Sequence, residues 1–570
     1  MSGSLSTHDL VPSDLRREWA ALGLYPDRTL FDLFRERVAA HPDRAAVICD
    51  DGTTTYAELY GAVLSFAAAL HSAGVRPGDV VGSQQPNGWR SCVVDLAVAA
   101  IGAVVLPYPP GRGRRETLAL LGRSRATATV TPVHWDNFDY AATLDSLRGE
   151  LPALRSVFVI GGEHPGCLPA DPVMDRGNRV DPAAPLPEWI VDGDPDGPVR
   201  ILVSSGSEAE PKMILYSHNA LAGGRGAFMN GISGGVSPLR NLFLPPLGTS
   251  YGSLGSFITI ACHGGTLILV RKFSPAAAAR AVREHRPTHV FGVPAVFQLM
   301  LGSAEFAEVD TGSIRAVVSG GSKIDTSAIE ECIARFDCNF VNLYGSADGV
   351  NCYTDLDDPQ AKVHTTVGRP DPRIARFRIV DGDGNDVPQG EEGEMICRGP
   401  LSPMCYVNAP ELDARYRTQG GWVRTGDLGF IDTDGYLNVV RRMKDIIIRG
   451  GKNISPVEVE LLATRHPAVR AAICLGVPDP VLGERIGLIV VPEAGSTPAL
   501  TELTTFLTGL GLEQGKLPER LVVVDDLPLG AAGKVDKPKL AQLFTDQRET
   551  VLSQPGAPAG GPAHDVPVPA

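Results

Sequence analysis

ILVSSGSEAEPKMILYSHNAL, residues 201–221, decides how this chain reads. Ile201, Leu202 and Val203 form an apolar run that predicts a buried strand. The strand empties into small hydroxyl residues, Ser204, Ser205 and Ser207 around Gly206, and the loop closes on Pro211 and Lys212. Small residues let backbone N–H groups approach a phosphate chain, hydroxyls add donors, and a lysine adds charge. The GxxxxGK[ST] pattern of a Walker loop is absent. Taken alone, a polar surface turn after a strand would read the same way.

Outward from this loop, short β-branched runs alternate with stretches of helical period from about Thr29 to Leu540. Strands are expected at Ala46–Cys49, Val104–Pro107, Thr127–Thr131, Val157–Ile160, Arg200–Val203, Thr266–Leu269, His289–Gly292 and Ala316–Ser319. Tyr56–Ala73 and Pro275–Glu284 carry apolar residues three and four apart and read as helices. Such alternation predicts an α/β fold of parallel sheets covered by helices. After about Arg376 the pattern changes to short strands with Gly/Asp turns, DGDGND at 381–386 and DTDGY at 432–436, a small β-barrel-like part. A second, small α+β unit begins near Arg442, with a helix at Pro456–Arg465 and strands at Ala471–Gly476, Ile486–Pro492 and Leu521–Val524. The expected division is a large domain over 1–440, a small one over 441–546, and a tail over 547–570 whose Pro, Gly and Ala content predicts disorder.

Composition narrows the function. Lys+Arg number 52 against 66 Asp+Glu, a net charge of −14, which counts against general nucleic-acid or anionic-membrane binding. One small anionic ligand held by a few local donors remains compatible with it. The N-terminus shows no basic start followed by an apolar stretch, and the longest apolar run, Leu96–Leu106, falls short of the ~20 residues of a spanning helix. The ten cysteines are scattered without CxxC pairs or zinc spacing, as expected of free thiols in a reducing cytoplasm. The basic stretch GRGRR at 111–115 reads as a solvated loop and helix start.

Five further segments follow the first in order: VVSGGSK at 317–323, VNLYGSADG at 341–349, GWVRTGDLG at 421–429, RRMKDIIIRGGKNISPVEVE at 441–460 and LPLGAAGKVDKPKL at 527–540. Together they resemble the adenylate-forming superfamily of acyl- and aryl-CoA synthetases, peptide-synthetase adenylation domains and luciferases. The resemblance covers about Thr29 to Leu540, and YGSADGVNCYTDLDDP looks most like stand-alone aryl-acid activating enzymes.

The resemblance implies a chemistry: a carboxylate attacks the α-phosphorus of ATP in line, pyrophosphate leaves, and a thiol takes the acyl group. Two anions must meet, so cationic and hydrogen-bonding groups have to be aimed at the transferring phosphate. The resemblance assigns Ser204, Ser205, Gly206, Ser207 and Lys212 to the phosphates. Gly320, Gly321 and Ser322 become the floor beneath an adenine on Tyr344, beside Gly345 and Ser346. Asp427 would hold the ribose, Arg442 ribose or phosphate oxygens, Asp348 a magnesium ion, and Thr249, Ser250, Tyr251 and Gly252 the acid. Lys534 would reach the carboxylate and phosphate during adenylation, and Lys444–Asp445 would be the hinge about which the small domain swings. The swing replaces Lys534 by a thiol tunnel along Gly450 and Gly451.

Four departures stand out. The phosphate loop, usually SGTTGxPKG, has Glu208, Ala209 and Met213 in place of threonine, glycine and glycine. A carboxylate beside phosphates is unfavourable unless it points away or acts through Mg²⁺. Asp348 replaces the usual glutamate, and Arg441 the usual glycine before Arg442. Gly248–Thr249 stand where salicylate and dihydroxybenzoate enzymes carry His-Asn, which argues against a 2-hydroxyl reader. The resulting expectation is an ATP- and Mg²⁺-dependent ligase for a small, aromatic carboxylic acid in secondary metabolism, with coenzyme A as acceptor. Alternatives are loading of a carrier protein, and adenylation of nitrite to diazotise an arylamine.

Overall fold

The computed structural model describes residues 8–204, 211–321, 324, 326–443, 446–528 and 537–546. Expectations placed on Ser205, Gly206, Ser207, Glu208, Ala209, Ser322, Lys444, Asp445, Lys534 and the tail from 547 lie outside the described residues.

Two eight-stranded sheets dominate. In one, six parallel strands run in the order Asn339–Gly345, Ala316–Gly320, His289–Gly292, Arg240–Phe243, Thr266–Leu269 and Ala45–Cys49, with an antiparallel strand at each edge. In the other, Pro198–Ser204, Val104–Tyr108, Val80–Gln84, Ala128–Pro132, Ser156–Ile160 and Leu168–Pro169 are parallel. Lys212–Ser217 and Cys405–Tyr406 extend that sheet antiparallel. Central strands such as Val104–Tyr108 and His289–Gly292 are buried along their whole length, as parallel sheets covered on both faces require.

Helices fill the space between the two sheets. Tyr56–Ser72 and Trp89–Ala100 share one apolar cluster with Val47 of the first sheet and with Val81, Val105 and Val199 of the second. The first of these helices starts where expected because Thr55 and Glu58 form a reciprocal capping box. Outer helices, Pro275–His285 and Thr326–Phe336 on one sheet and Arg114–Ser124 and Tyr140–Leu147 on the other, close the remaining faces. Arg200 ties the layers together. Almost fully buried, its guanidinium donates to Asp95 at 2.8 Å and to the Leu247 carbonyl at 2.9 Å, so the strand that ends at Ser204 is bolted to an inner helix and to the turn after Pro246.

The barrel-like part is a four-stranded antiparallel sheet in the order Arg376–Val380, Gly393–Arg398, Val423–Ile431 and Leu437–Arg442, and both Gly/Asp segments are turns at its strand ends. The small unit packs helices Pro456–Ala463 and Leu500–Gly509 on a sheet built around the hairpin Val469–Asp479 and Gly483–Pro492, with Arg520–Val523 parallel to the latter.

The basic stretch at 111–115 corrects its expectation. Arg112 is 8 % exposed and pairs with Glu116, while Arg115 reaches Glu458 of the small unit at 3.0 Å. Lys516 inserts between Glu116 and Glu458, at 2.9 Å from the latter, with all three side chains at most 4 % exposed. Arg114 stays exposed as expected, but the burial of Arg112 and the pairing of Arg115 are hidden in the sequence because Glu458 and Lys516, which complete the cluster, lie hundreds of residues away.

Candidate active site

The carboxyl ends of both parallel sheets open into one cavity of about 920 Å³. From the first sheet, Leu244, Val270, Val293, Gly320, Gly321 and Gly345 border it. Gln85, Pro109, Val203 and Ser204 follow from strands of the second. Open α/β sheets bind ligands at this end of their strands, where successive loops splay apart. Gly321 sits at φ +93°, a conformation that favours glycine, and a Cβ at Gly345 would come within 2.9 Å of the Asn351 amide. Both positions keep the backbone accessible to a flat ligand.

Lys212, the first residue of its strand, pairs in register with Ser204, the last of the neighbouring one. The ammonium of Lys212 lies 3.7 Å from an Asp348 oxygen and 3.6 Å from the Tyr416 ring centre. The same Asp348 oxygen accepts a hydrogen bond from Tyr406 at 2.5 Å. Burial and the adjacent Asp348 charge push the Tyr406 hydroxyl far above its ordinary range, keeping it a donor. Tyr406 and Tyr416 were missed in the sequence, since each lies in a segment without a motif: Tyr406 reaches Asp348 from the strand that pairs with Ile214 and Leu215, and Tyr416 borders the cavity from the end of the helix Pro410–Tyr416.

Ser346 also borders the cavity, and its hydroxyl accepts from the Asp348 N–H at 3.1 Å. Thr425 and Gly426 form another wall; next to them Asp427, 2 % exposed, accepts from the Tyr344 hydroxyl at 2.6 Å. Asp427 faces Arg442 across the antiparallel pair, so the two proposed ribose residues are neighbours in register. Tyr344 itself does not border the cavity. Its half-buried ring packs against Cys352 and Met395, because neighbouring residues of a strand face opposite ways and Leu343 and Gly345 take the cavity side.

Thr249, Ser250 and Tyr251 border the cavity as one turn, and Tyr251 is fixed by its hydroxyl on the Val318 carbonyl at 3.0 Å. Gly252 lies behind that turn, where a Cβ would meet the Pro246 carbonyl at 2.3 Å; it supports the wall without being part of it. The small unit supplies the remaining wall through Gly450, Gly451 and Lys452. Gly451 has φ +80°, and a Cβ there would stand 2.9 Å from that of Val293.

Among the described residues no three His, Cys, Asp or Glu side chains gather as a metal site, and no helix is long and apolar enough to cross a membrane.

The cavity thus lies at the carboxyl ends of two parallel sheets, with a small second unit as one wall. The AMP-binding enzyme family matches residues 34–407, and its C-terminal domain matches 458–534. The chain belongs to this family of adenylate-forming enzymes. It is 32 % identical to the 2-hydroxy-7-methoxy-5-methyl-1-naphthoate–CoA ligase of Streptomyces carzinostaticus, over 95 % of this chain and 97 % of that one. It is also 32 % identical to the salicyl-AMP ligase / salicyl-S-ArCP synthetase of Mycobacterium tuberculosis, over 94 % of each. Among solved structures, the amide bond synthetase McbA of Marinactinospora thermotolerans superposes with a TM-score of 0.80 at 30 % identity, covering 90 % of this chain and 99 % of that one.

Proposed function

We propose that this enzyme activates an aromatic carboxylic acid as its acyl-adenylate, releasing pyrophosphate, and then passes the acyl group to a thiol, that of coenzyme A or of a carrier protein. The observation that carries the reading is the single cavity in which Lys212 and Asp348 meet the Thr249–Tyr251 turn. An acid seated on the turn and a triphosphate beside Lys212 would share one enclosed space, the arrangement in-line attack needs.

In this reading Ser204, Ser205, Gly206, Ser207 and Lys212 hold the β- and γ-phosphates. Gly320, Gly321, Ser322, Gly345 and Ser346 form the nucleotide floor. Asp427 takes the ribose hydroxyls with Arg442, its orientation fixed by Tyr344. Asp348, a carboxylate on the cavity, would hold magnesium, which when bound neutralises phosphate charge. Lys534 adds positive charge where the carboxylate meets the α-phosphorus. The small domain, from 441 onward, then swings about Lys444–Asp445. Gly450 and Gly451 already stand at the cavity wall in the structure, which supports reading this arrangement as the thiol-transfer one. The aromatic assignment is supported by the naphthoate and salicylate in the relatives' names.

Pyrophosphate release over a panel of aryl acids tests the reading, with nitrite plus an aminoaryl acid as a separate lane. Acid-dependent release supports it; release only in the nitrite lane replaces it by the diazotising alternative. Since one structural relative is named for amide-bond formation, amines belong beside thiols in the acceptor panel.

A further inference from the structure

Arg225 is 4 % exposed yet borders the cavity. It is delivered by an unusual helix. Leu221–Arg225 is a π-helical turn, and its two glycines press directly on neighbours: a Cβ at Gly223 would lie 2.7 Å from the Tyr25 ring, and one at Gly224 2.3 Å from Leu401. The glycines let the turn pack this closely, and Arg225 at its end borders the cavity. Widened turns of this kind are frequent at functional sites.

The guanidinium is under-used. Its side-chain hydrogen bond is a long one, 3.3 Å to the Ser250 hydroxyl; its Nε has no partner, and among the described residues no carboxylate pairs with it. Burial, the largest influence, lowers its pKa to about 10. A second polar side chain on the same cavity is in the same condition. Asn351, 5 % exposed, leaves both its amide nitrogen and its amide oxygen without partners. Buried groups of this kind are costly unless a ligand completes them.

We propose that Arg225, with Ser250 beside it, forms an anion seat for a second, unreacting carboxylate of the substrate. The inference deepens the acid-activation reading and rests on it. A planar fork of donors matches a carboxylate's two oxygens. For that reason Arg225 is unsuited to the carboxylate that reacts: two charge-assisted hydrogen bonds would draw charge from its oxygens and weaken the nucleophile. Two sources offer the same chemistry. One is an aryl dicarboxylic acid, activated at its other end; the other, were nitrite the group adenylated, is an aminoaryl acid that keeps its carboxylate.

The test uses the full chain and matched substrates in the pyrophosphate assay: benzoate against benzene-1,3-dicarboxylate, and, with nitrite, aniline against 3-aminobenzoate. In one of the two pairs the carboxylate-bearing member should be favoured on the order of 100-fold in kcat/KM, because a site built around polar groups rejects a partner that leaves them unpaired. Arg225→Met should bring that ratio close to one, and Arg225→Lys should restore part of it. Equal use of both members of both pairs by the wild-type enzyme overturns the seat, and needs no variant to fold. So does an equal loss for benzoate and the diacid in Arg225→Met, which would place Arg225 on the reacting carboxylate. If no lane releases pyrophosphate, the activation reading fails by itself, and thermal shift with benzene-1,3-dicarboxylate then decides the seat. A wild-type shift lost in Arg225→Met upholds anion binding, and no wild-type shift refutes it.

Discussion

The Tyr344 hydroxyl donates to the Asp427 carboxylate across 2.6 Å, joining the last parallel strand of one sheet to the antiparallel sheet beside it. A carboxylate held in this way keeps one orientation, so if it takes the ribose as proposed, its loss and the loss of its support should differ in size. Asp427→Ala should raise the KM for ATP by ~100-fold or more with little change for the acid, since two contacts to a charged acceptor are worth on the order of 3–6 kcal/mol. Tyr344→Phe should raise it about tenfold, having removed only the orienting bond. Steady-state titration of each substrate checks both. Equal effects on ATP and acid would remove Asp427 from the nucleotide.

Gly451 and Lys534 should fail in opposite half-reactions. Alanine at Gly451 meets both a φ of +80° and Val293 at 2.9 Å, so it should drive the small unit out of the observed arrangement. Thiolysis of a supplied acyl-adenylate should fall by ~100-fold while pyrophosphate release changes little. Lys534→Ala should do the reverse, losing at least ~100-fold in adenylation and little in thiolysis. Parallel losses in both variants would mean the small unit does not present two faces.

The buried cluster around Lys516 should hold the observed arrangement closed. Lys516→Met would leave Glu116 with Arg112 and Glu458 with Arg115, two buried carboxylates no longer bridged by the ammonium, so the cost should fall below the ~3–5 kcal/mol of a buried pair left wholly uncompensated. A fall in melting temperature and a larger radius of gyration by scattering are the expected signs. An unchanged radius would show that the cluster does not govern domain closure.

Its pH dependence has a defined sign. Burial alone would raise the Glu116 carboxyl, but Arg112 and Lys516 outweigh it and hold the group at about 2 against an ordinary 4.5. A depressed acid stabilises the fold above its unfolded pKa, and the contribution, on the order of 3 kcal/mol, is lost as pH falls from 4.5 towards 2. Glu458 is shifted upward by burial, so its contribution runs the other way. The melting-temperature gap between wild type and Glu116→Gln should therefore shrink as pH is lowered from about 5 to about 3. A gap independent of pH would contradict the assignment.

The fold was legible because parallel strands buried on both faces write themselves as continuous apolar runs: each of the eight strands expected from Ala46 to Ser319 is found within a residue or two. Motif residues were legible where function demands a fixed type at a fixed turn, as at Gly320, Gly321 and Ser346, all of which come to the cavity. What stayed hidden depends on side-chain direction and distant partners. Tyr344 faces Asp427 instead of the cavity because Leu343 and Gly345 take that side of the strand. Arg112 is buried because Glu116 and the small unit cover it. Arg225 sits in LAGGR, which carries no motif; only the packing of its two glycines shows why it reaches the site.

Labelling the acid tests the central claim most directly. If a carboxylate oxygen attacks the α-phosphorus, an acid carrying ¹⁸O in both carboxyl oxygens must deliver one of them to AMP once a thiol has taken the acyl group. The account predicts AMP heavier by one ¹⁸O, read by mass spectrometry, with pyrophosphate unlabelled. Unlabelled AMP formed from the labelled acid would contradict it, showing that something other than the carboxylate had attacked phosphorus.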